Sequence, residues 1–385
     1  IFSYCFPIPS LQLSLPGSTI KMNYLDKKIH NFNAGPGILP KEVFRKAAEA
    51  VENFNNTGLS ILEIGHRTPL FTEVMETARG LVRKLMKLPD THEVLFLHGG
   101  ASTQFFQVPM NLLDSNEFAS IADTGVWSSK AIKETRLFGH VEVVCSGKDV
   151  NYSSIPKNFR VASTSKYLHI TTNNTIYGTQ WRDLTPFYKF GVPLVADMSS
   201  DILSREIDFE KFDLIYAGAQ KNIGAAGVNL VVVNKEILGK TTRAIPTMLD
   251  YREHIKNASM LNTPPVFAVY VSMLTLQWLD QLGGVAEIEK INRKKAEMLY
   301  GVIDKCPMYK GTAAKEDRSM MNACFVIEDK ELEKEFLSLA DNEGMVGIKG
   351  HRSVGGFRVS MYNSLGIESV EALCSLMEYF ANKKG

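Results

Sequence analysis

Apolar positions along the chain change period, and the changes mark out its elements. Over 40–54, Val43, Phe44, Ala47, Ala48 and Val51 recur at helical spacing behind Pro40, which suits the start of a helix. The stretch 73–88 has the same period. By contrast, 94–97, 118–122, 141–144, 192–196, 214–216 and 228–233 are short, nearly unbroken apolar runs. Such runs predict strands buried on both faces. The two kinds of stretch alternate from Pro40 to about residue 280, which predicts an α/β fold with a mostly parallel sheet. An apolar helical stretch then ends at Gly283-Gly284, and a long charged helix follows over 286–304. Beyond it the pattern predicts a strand at 322–327, a helix at 330–342, a strand at 357–361 and a helix at 368–382, which together make a smaller α+β unit. The expected organisation is an extra N-terminal segment (1–30), a large domain (31–282) and a small C-terminal domain (283–385). Residues 31–45 are candidates to pack on the small domain.

Composition narrows this picture. A length of 385 residues suits two domains of roughly 100–200 residues each. The balance of 43 basic and 42 acidic residues gives a net charge of +1, and hence no reason to expect nucleic acid or a membrane as partner. Cys5, Cys145, Cys306, Cys324 and Cys374 are scattered without a CxxC pair, so neither a disulfide framework nor a zinc site is expected. A reducing, cytoplasmic setting and no metal follow as expectations. The uncharged stretch 1–20 is broken by Pro7, Pro9 and Pro16 and lacks a basic leader, so it suits neither a membrane span nor a secretory signal. Residues 1–21 are expected to be an addition to the natural chain, appended artificially or translated from upstream of Met22.

Candidate chemistry gathers at predicted strand ends. Asp197 closes the run Pro193-Leu-Val-Ala-Asp197, where open α/β sheets bind ligands; taken alone, it is equally a turn or helix-cap residue. Lys221 lies among small residues in Ala217-Gly-Ala-Gln-Lys-Asn-Ile-Gly224. Burial there would favour its neutral, nucleophilic amine. As a pair, a carboxylate and a lysine on successive strand ends meet what pyridoxal phosphate requires: an amine to form the imine and an anion to keep the ring nitrogen protonated. His98-Gly-Gly-Ala-Ser-Thr-Gln104, between a strand and a helix, is a candidate phosphate cradle or a plain turn. It is neither a nucleotide P-loop nor a dinucleotide fingerprint. Trp127 is placed to cover a flat ring or simply to pack. His351, Arg352 and Arg358 on a glycine-rich loop, and His66-Arg67, are candidate anion binders or solvated surface charge.

These residues lie in stretches that resemble one family. Asn31-Phe-Asn-Ala-Gly-Pro36, Glu63-Ile-Gly-His-Arg67, His98-Gly-Gly-Ala101, Ala196-Asp-Met-Ser-Ser200, Tyr216-Ala-Gly-Ala-Gln-Lys-Asn222, Asn262-Thr-Pro-Pro265 and Gly350-His-Arg-Ser-Val-Gly-Gly-Phe-Arg358 run in the order found in phosphoserine aminotransferases, a class V branch of the fold-type-I pyridoxal-phosphate enzymes. The resemblance implies that Lys221 carries the cofactor as a Schiff base and moves the proton, that Asp197 pairs with the ring nitrogen and that Trp127 stacks on the ring. Thr175 would bond the ring oxygen. Ala101, Ser102 and Gln220 would hold the cofactor phosphate, with Asn262 and Thr263 reaching the phosphate of a neighbouring subunit in a homodimer. His66, Arg67, His351, Arg352 and Arg358 would recognise substrate. One departure is Ala101-Ser102, where some members have Gly-Arg.

The implied reaction is reversible: O-phospho-L-serine and 2-oxoglutarate give 3-phosphooxypyruvate and L-glutamate, in serine biosynthesis, with a side activity in pyridoxine synthesis open. Two rivals share the fold, an alanine–glyoxylate aminotransferase and a cysteine desulfurase, the latter requiring a mobile cysteine. A third is a catalytically silent cofactor-binding protein.

Overall fold

The computed structural model describes residues 28–384, so expectations for residues 1–21 and for Cys5 lie outside the described residues. The predicted α/β pattern forms one seven-stranded sheet. Its strands in chain order are β1 (His92–His98), β2 (Phe118–Asp123), β3 (His140–Ser146), β4 (Leu168–Thr171), β5 (Leu194–Asp197), β6 (Leu214–Gly218) and β7 (Val228–Asn234). Across the sheet they run β1-β7-β6-β5-β4-β2-β3. Only β7 is antiparallel to its neighbours, pairing Val228 with His98 and Asn229 with Gly218. The carboxyl ends of β1, β2, β4, β5 and β6 therefore share one edge, where an open sheet of this kind binds ligands.

The helices flanking the sheet are α1 (Lys41–Asn53), α2 (Pro69–Met86), α3 (Ala101–Leu112), α4 (Val126–Thr135) and α5 (Val266–Gln281). The last two long central and terminal helices are α6 (Gly284–Lys305) and α8 (Ile367–Lys384), with α7 (Lys330–Asn342) between them. Helix α2 begins four residues before the apolar pattern does, because Pro69 occupies its first turn. Gly283 and Gly284, at φ 106° and 78°, make the turn from α5 into α6 in a conformation that favours glycine.

Two expectations about strands need correction. The run 141–144 was read as buried on both faces, yet β3 is the edge strand and Val143 is 40% exposed. An edge strand has a neighbour on one side only, and no second layer fully covers this one. Strand β4, in the middle of the sheet, was not predicted at all. It is a four-residue piece containing His169 and Thr171, and every residue in it is buried.

Apolar burial separates into cores. The largest lies on one face of the sheet and draws on α1, α2 and α5, and a minor one on the other face draws on α3. A smaller core collects Phe32, the C-terminal half of α6, Phe336 on α7, Phe380 on α8 and a three-stranded sheet of β8 (Lys310–Gly311), β9 (Asn322–Val326) and β10 (Phe357–Ser360). Helix α6 belongs to both: Val285 and Ile288 enter the large core, while Leu299 and Ile303 enter the smaller one.

Candidate active site

The shared carboxyl edge brings the strand-end residues together. Strand β6 stops at Gly218, and a four-residue helical turn, Ala219–Asn222, presents Lys221. The Lys221 Nζ donates to the Thr175 hydroxyl at 3.0 Å and lies 5.2 Å from the centre of the Trp127 ring. Thr175 comes from the segment after β4, and Trp127 from the first turn of α4, after β2. Desolvation pulls the Lys221 amine down from its ordinary value to about 8. The Asp197 and Asp201 charges oppose that shift, and Arg358 reinforces it. A lysine near 8 has a substantial neutral fraction around neutral pH, which is what a nucleophile or base needs.

Asp197 closes β5 and is buried. Its Oδ1 accepts from the backbone N–H of Ser199 at 2.9 Å and from the Ser199 hydroxyl at 2.6 Å. Oδ2 has no partner among the described residues. Burial raises the Asp197 carboxyl above its ordinary value, while Lys221 and the Ser199 bonds hold it down. A further cation near Oδ2 would favour the ionised form in the same way.

Among the buried side-chain atoms without partners, three belong to residues at or near this edge: the indole N–H of Trp127, the Thr124 hydroxyl and the Arg358 Nε. Buried polar atoms normally have hydrogen-bond partners, so such a set suits a polar ligand. Gly99 and Gly100, at φ 91° and 67°, lead from β1 into α3. A Cβ on Gly99 would overlap the Thr103 side chain. This leaves the N–H groups at the α3 N-terminus, from Ala101 and Ser102 onward, without a side-chain cap. An uncapped N-terminus of a helix this long favours an anion. A planar, anionic cofactor with a protonated ring nitrogen fits this donor set.

Not every candidate joins the cluster. Arg358, on β10, is felt electrostatically at Lys221, at His351 and at Cys324. His351 bonds Ser353 at 2.7 Å on the exposed loop before β10, which also carries Arg352. His66 and Arg67 lie in the turn before α2 and make no hydrogen bond with residues around Lys221. The Thr263 carbonyl is bonded by His98 at 3.0 Å, and Asn262 lies beside it. Gln220 packs by its amide against Gly218, at whose position a Cβ would stand 2.8 Å from its Oε1.

Residues that sequence reading missed complete the surroundings. Ser199 fixes Asp197, and the Asp-x-Ser spacing could have signalled that local turn. Gly35 packs so closely that a Cβ there would sit 3.5 Å from Lys221 Cγ. Asp123 accepts from Ser128, Ser129, Ser146 and Tyr152 and so fixes the start of the helix that carries Trp127. The Cys324 thiol is pushed up to about 12 by burial and lies 3.5 Å from the Ile176 carbonyl. A rigid, protonated thiol does not suit the mobile nucleophile of a desulfurase. Among the described residues, no group of three or more His, Cys, Asp or Glu is placed to hold a metal, and no helix is long and apolar enough to cross a membrane.

Comparison with known proteins agrees over nearly the whole chain. The family model for aminotransferase class-V matches residues 29–373. A phosphoserine aminotransferase of Flavobacterium psychrophilum is 54% identical over 357 residues, covering 92% of this chain and 99% of that protein. A solved phosphoserine aminotransferase, studied for radiation damage of its Schiff base, superposes with a TM-score of 0.90 at 45% identity, covering 93% of this chain and 99% of the other. The phosphoserine aminotransferase of Bacillus circulans subsp. alkalophilus gives a TM-score of 0.90 at 42% identity, with the same coverage of 93% and 99%.

Proposed function

The chain belongs to the class-V aminotransferases, and from that premise we infer that it is a pyridoxal-phosphate-dependent phosphoserine aminotransferase. It moves an amino group reversibly between O-phospho-L-serine and 2-oxoglutarate, giving 3-phosphooxypyruvate and L-glutamate. The observation that carries the reading is the Lys221 amine, lowered to about 8, held by Thr175 and set 5.2 Å from the Trp127 ring.

The residues fit the cofactor as follows. Ala101, Ser102 and Gln220 would hold its phosphate, Asp197 would pair with its ring nitrogen, Thr175 would bond its ring oxygen, and Trp127 would cover one face. Bound there, the cofactor supplies electron withdrawal from the carbon that carries the amino group. Lys221 would do the proton work: its neutral amine takes the substrate α-proton at Nζ and later gives it back. Asp197, fixed by Ser199, keeps its negative charge on the ring side of the site. Because the amino group is parked on the enzyme between substrates, the kinetics are ping-pong.

Substrate recognition falls to His66, Arg67, His351, Arg352 and Arg358. Both substrates pair an α-carboxylate with a distal anion, phosphate in one and carboxylate in the other. Several cations answer both, with arginine suited to either by bidentate bonding. The protein would work as a cytoplasmic homodimer. Four exposed apolar side chains on α1 and the following turn support that arrangement: Phe44 is 55% exposed, Val51 37%, Leu59 47% and Leu62 63%. Such a surface near His66 suits burial against a second copy. Asn262 and Thr263 reach the partner's cofactor phosphate across the same interface.

The test is a coupled assay of 3-phosphooxypyruvate and glutamate turnover, with alanine and glyoxylate as the comparison pair. Preference for the phosphorylated substrate supports the reading, and preference for alanine and glyoxylate would replace it with the neighbouring activity.

A further inference from the structure

The mechanism leaves one buried charge unused. Lys295, on α6, has no solvent exposure, and no carboxylate among the described residues forms an ion pair with it. Its Nζ donates to the carbonyls of Met361, Tyr362 and Leu365 at 3.1, 2.9 and 3.1 Å. Three acceptors match the three protons of an ammonium; a neutral amine would have only two to give. These three bonds tie the turn 361–365 to α6.

That turn reaches the active-site lysine along two lines. The Asn363 backbone N–H donates to Asn222 Oδ1 at 2.9 Å, and Asn222 follows Lys221 in the chain. The Tyr362 hydroxyl donates to the Ala34 carbonyl at 2.6 Å, next to Gly35, which packs on the Lys221 stem. Two residues on, the Gly37 N–H donates to the Gln220 carbonyl at 2.7 Å, and Gln220 precedes Lys221. Asn292, one helical turn before Lys295, braces the turn by donating to Asn363 Oδ1 and to the Ser204 carbonyl, each at 2.9 Å. The residues before and after Lys221 are thus both held by bonds that lead to the smaller core. The helical turn Ala219–Asn222 has only four residues, too few to fix its own geometry.

We propose that Lys295, with Asn292 and the turn 361–365, is a positioning clamp for Lys221, fixing the backbone on both sides of the reactive amine. The clamp rests on the assignment of Lys221 as the cofactor-bearing residue. It acts only through Asn222, Gln220 and Gly35, and it touches neither substrate nor cofactor. Loosening it would change the amine's setting and the hold on the cofactor.

The experiment compares purified holoenzyme of wild type, Lys295→Met and Tyr362→Phe. For each, the pH midpoint of the visible cofactor band and the dissociation constant for added pyridoxal phosphate are measured, along with kcat and KM for O-phosphoserine. The clamp predicts a shifted midpoint, cofactor binding weakened roughly 2- to 30-fold in Lys295→Met, and a fall in kcat with KM little changed, the range expected for removing one link in a coupled network. Tyr362→Phe removes a single hydroxyl and should move the same quantities less. If Lys295→Met does not fold, Tyr362→Phe and Asn363→Ala decide the matter. A wild-type band whose midpoint and cofactor affinity persist in the folded variants would overturn the clamp alone. A wild-type protein without any band would remove the assignment beneath it.

Discussion

Two desolvated lysines in this molecule are treated in opposite ways. Lys295 sits in a saturated pocket of three carbonyls with no solvent contact. Lys221 has one hydroxyl partner and an aromatic face, and it is partly exposed. Desolvation lowers both amines, to about 7 for Lys295 and about 8 for Lys221, and at Lys295 the three carbonyl acceptors favour the ammonium against that shift. A lowered amine is therefore not enough to mark a reactive lysine. What separates the two is satisfaction: the first has spent all its protons on backbone oxygens, and the second has a free valence beside an acidic group that also keeps one oxygen unpaired. Unmet hydrogen-bonding capacity in a buried place points to a ligand.

The largest expected difference between the two comes from deletion. Lys221→Ala should remove turnover and the lysine-linked absorption together, a loss on the order of 10⁴-fold or more, since nucleophile and proton carrier go at once. Measurable turnover in a steady-state assay of that variant would erase the contrast with Lys295. Next comes the acid. Asp197→Asn should cost at least ~10²-fold in kcat, by analogy with removing one preorganised electrostatic partner, and rapid turnover would mean that some other group holds the ring nitrogen.

The electrostatic setting of Lys221 can be sharpened by opposite changes in cofactor-free protein, with the amine titrated by its reaction with an acylating reagent. Arg358 is a cation that disfavours the ammonium, so Arg358→Leu should move the midpoint upward from about 8; Asp197 favours the ammonium, so Asp197→Asn should move it downward. Shifts of the same sign in both variants would contradict the charge arrangement. Arg358→Leu should also raise KM for O-phosphoserine by about 10- to 100-fold if the guanidinium makes a charge-assisted bond to substrate. Smallest is Tyr362→Phe, which gives up one hydrogen bond to Ala34 and should cost about 1 kcal/mol in denaturant unfolding.

The sequence pointed to Lys221 and Asp197 because each lies at the end of an apolar run and the two side-chain types suit complementary work. It also disclosed most helices, since their apolar faces repeat over several turns; 330–342 coincides with α7. It hid β4, because a strand of four residues bearing His169 and Thr171 lacks the apolar run that betrays its neighbours. There the His169 Nε2 pairs with the Tyr216 hydroxyl at 2.9 Å, and burial pushes that imidazole down to about 4. Lys295 was hidden for a related reason. In the charged stretch Lys290-Ile-Asn-Arg-Lys-Lys-Ala296 it looks like one more solvated lysine, and its acceptors are backbone carbonyls 66 to 70 positions further on. Partners supplied by backbone atoms leave no side-chain pattern to read. The same holds for the link from Gly37 to Gln220, which joins the N-terminal segment to the lysine turn by main-chain atoms alone.

The most direct measurement is the absorbance spectrum of the purified protein before and after O-phosphoserine is added. A lysine-linked cofactor predicts a band near the visible edge that gives way on addition as the amino group is transferred, and that returns with 2-oxoglutarate. A protein that shows no such band even with added pyridoxal phosphate, or a band that O-phosphoserine leaves unmoved, would contradict the assignment of Lys221 as the centre of this transamination.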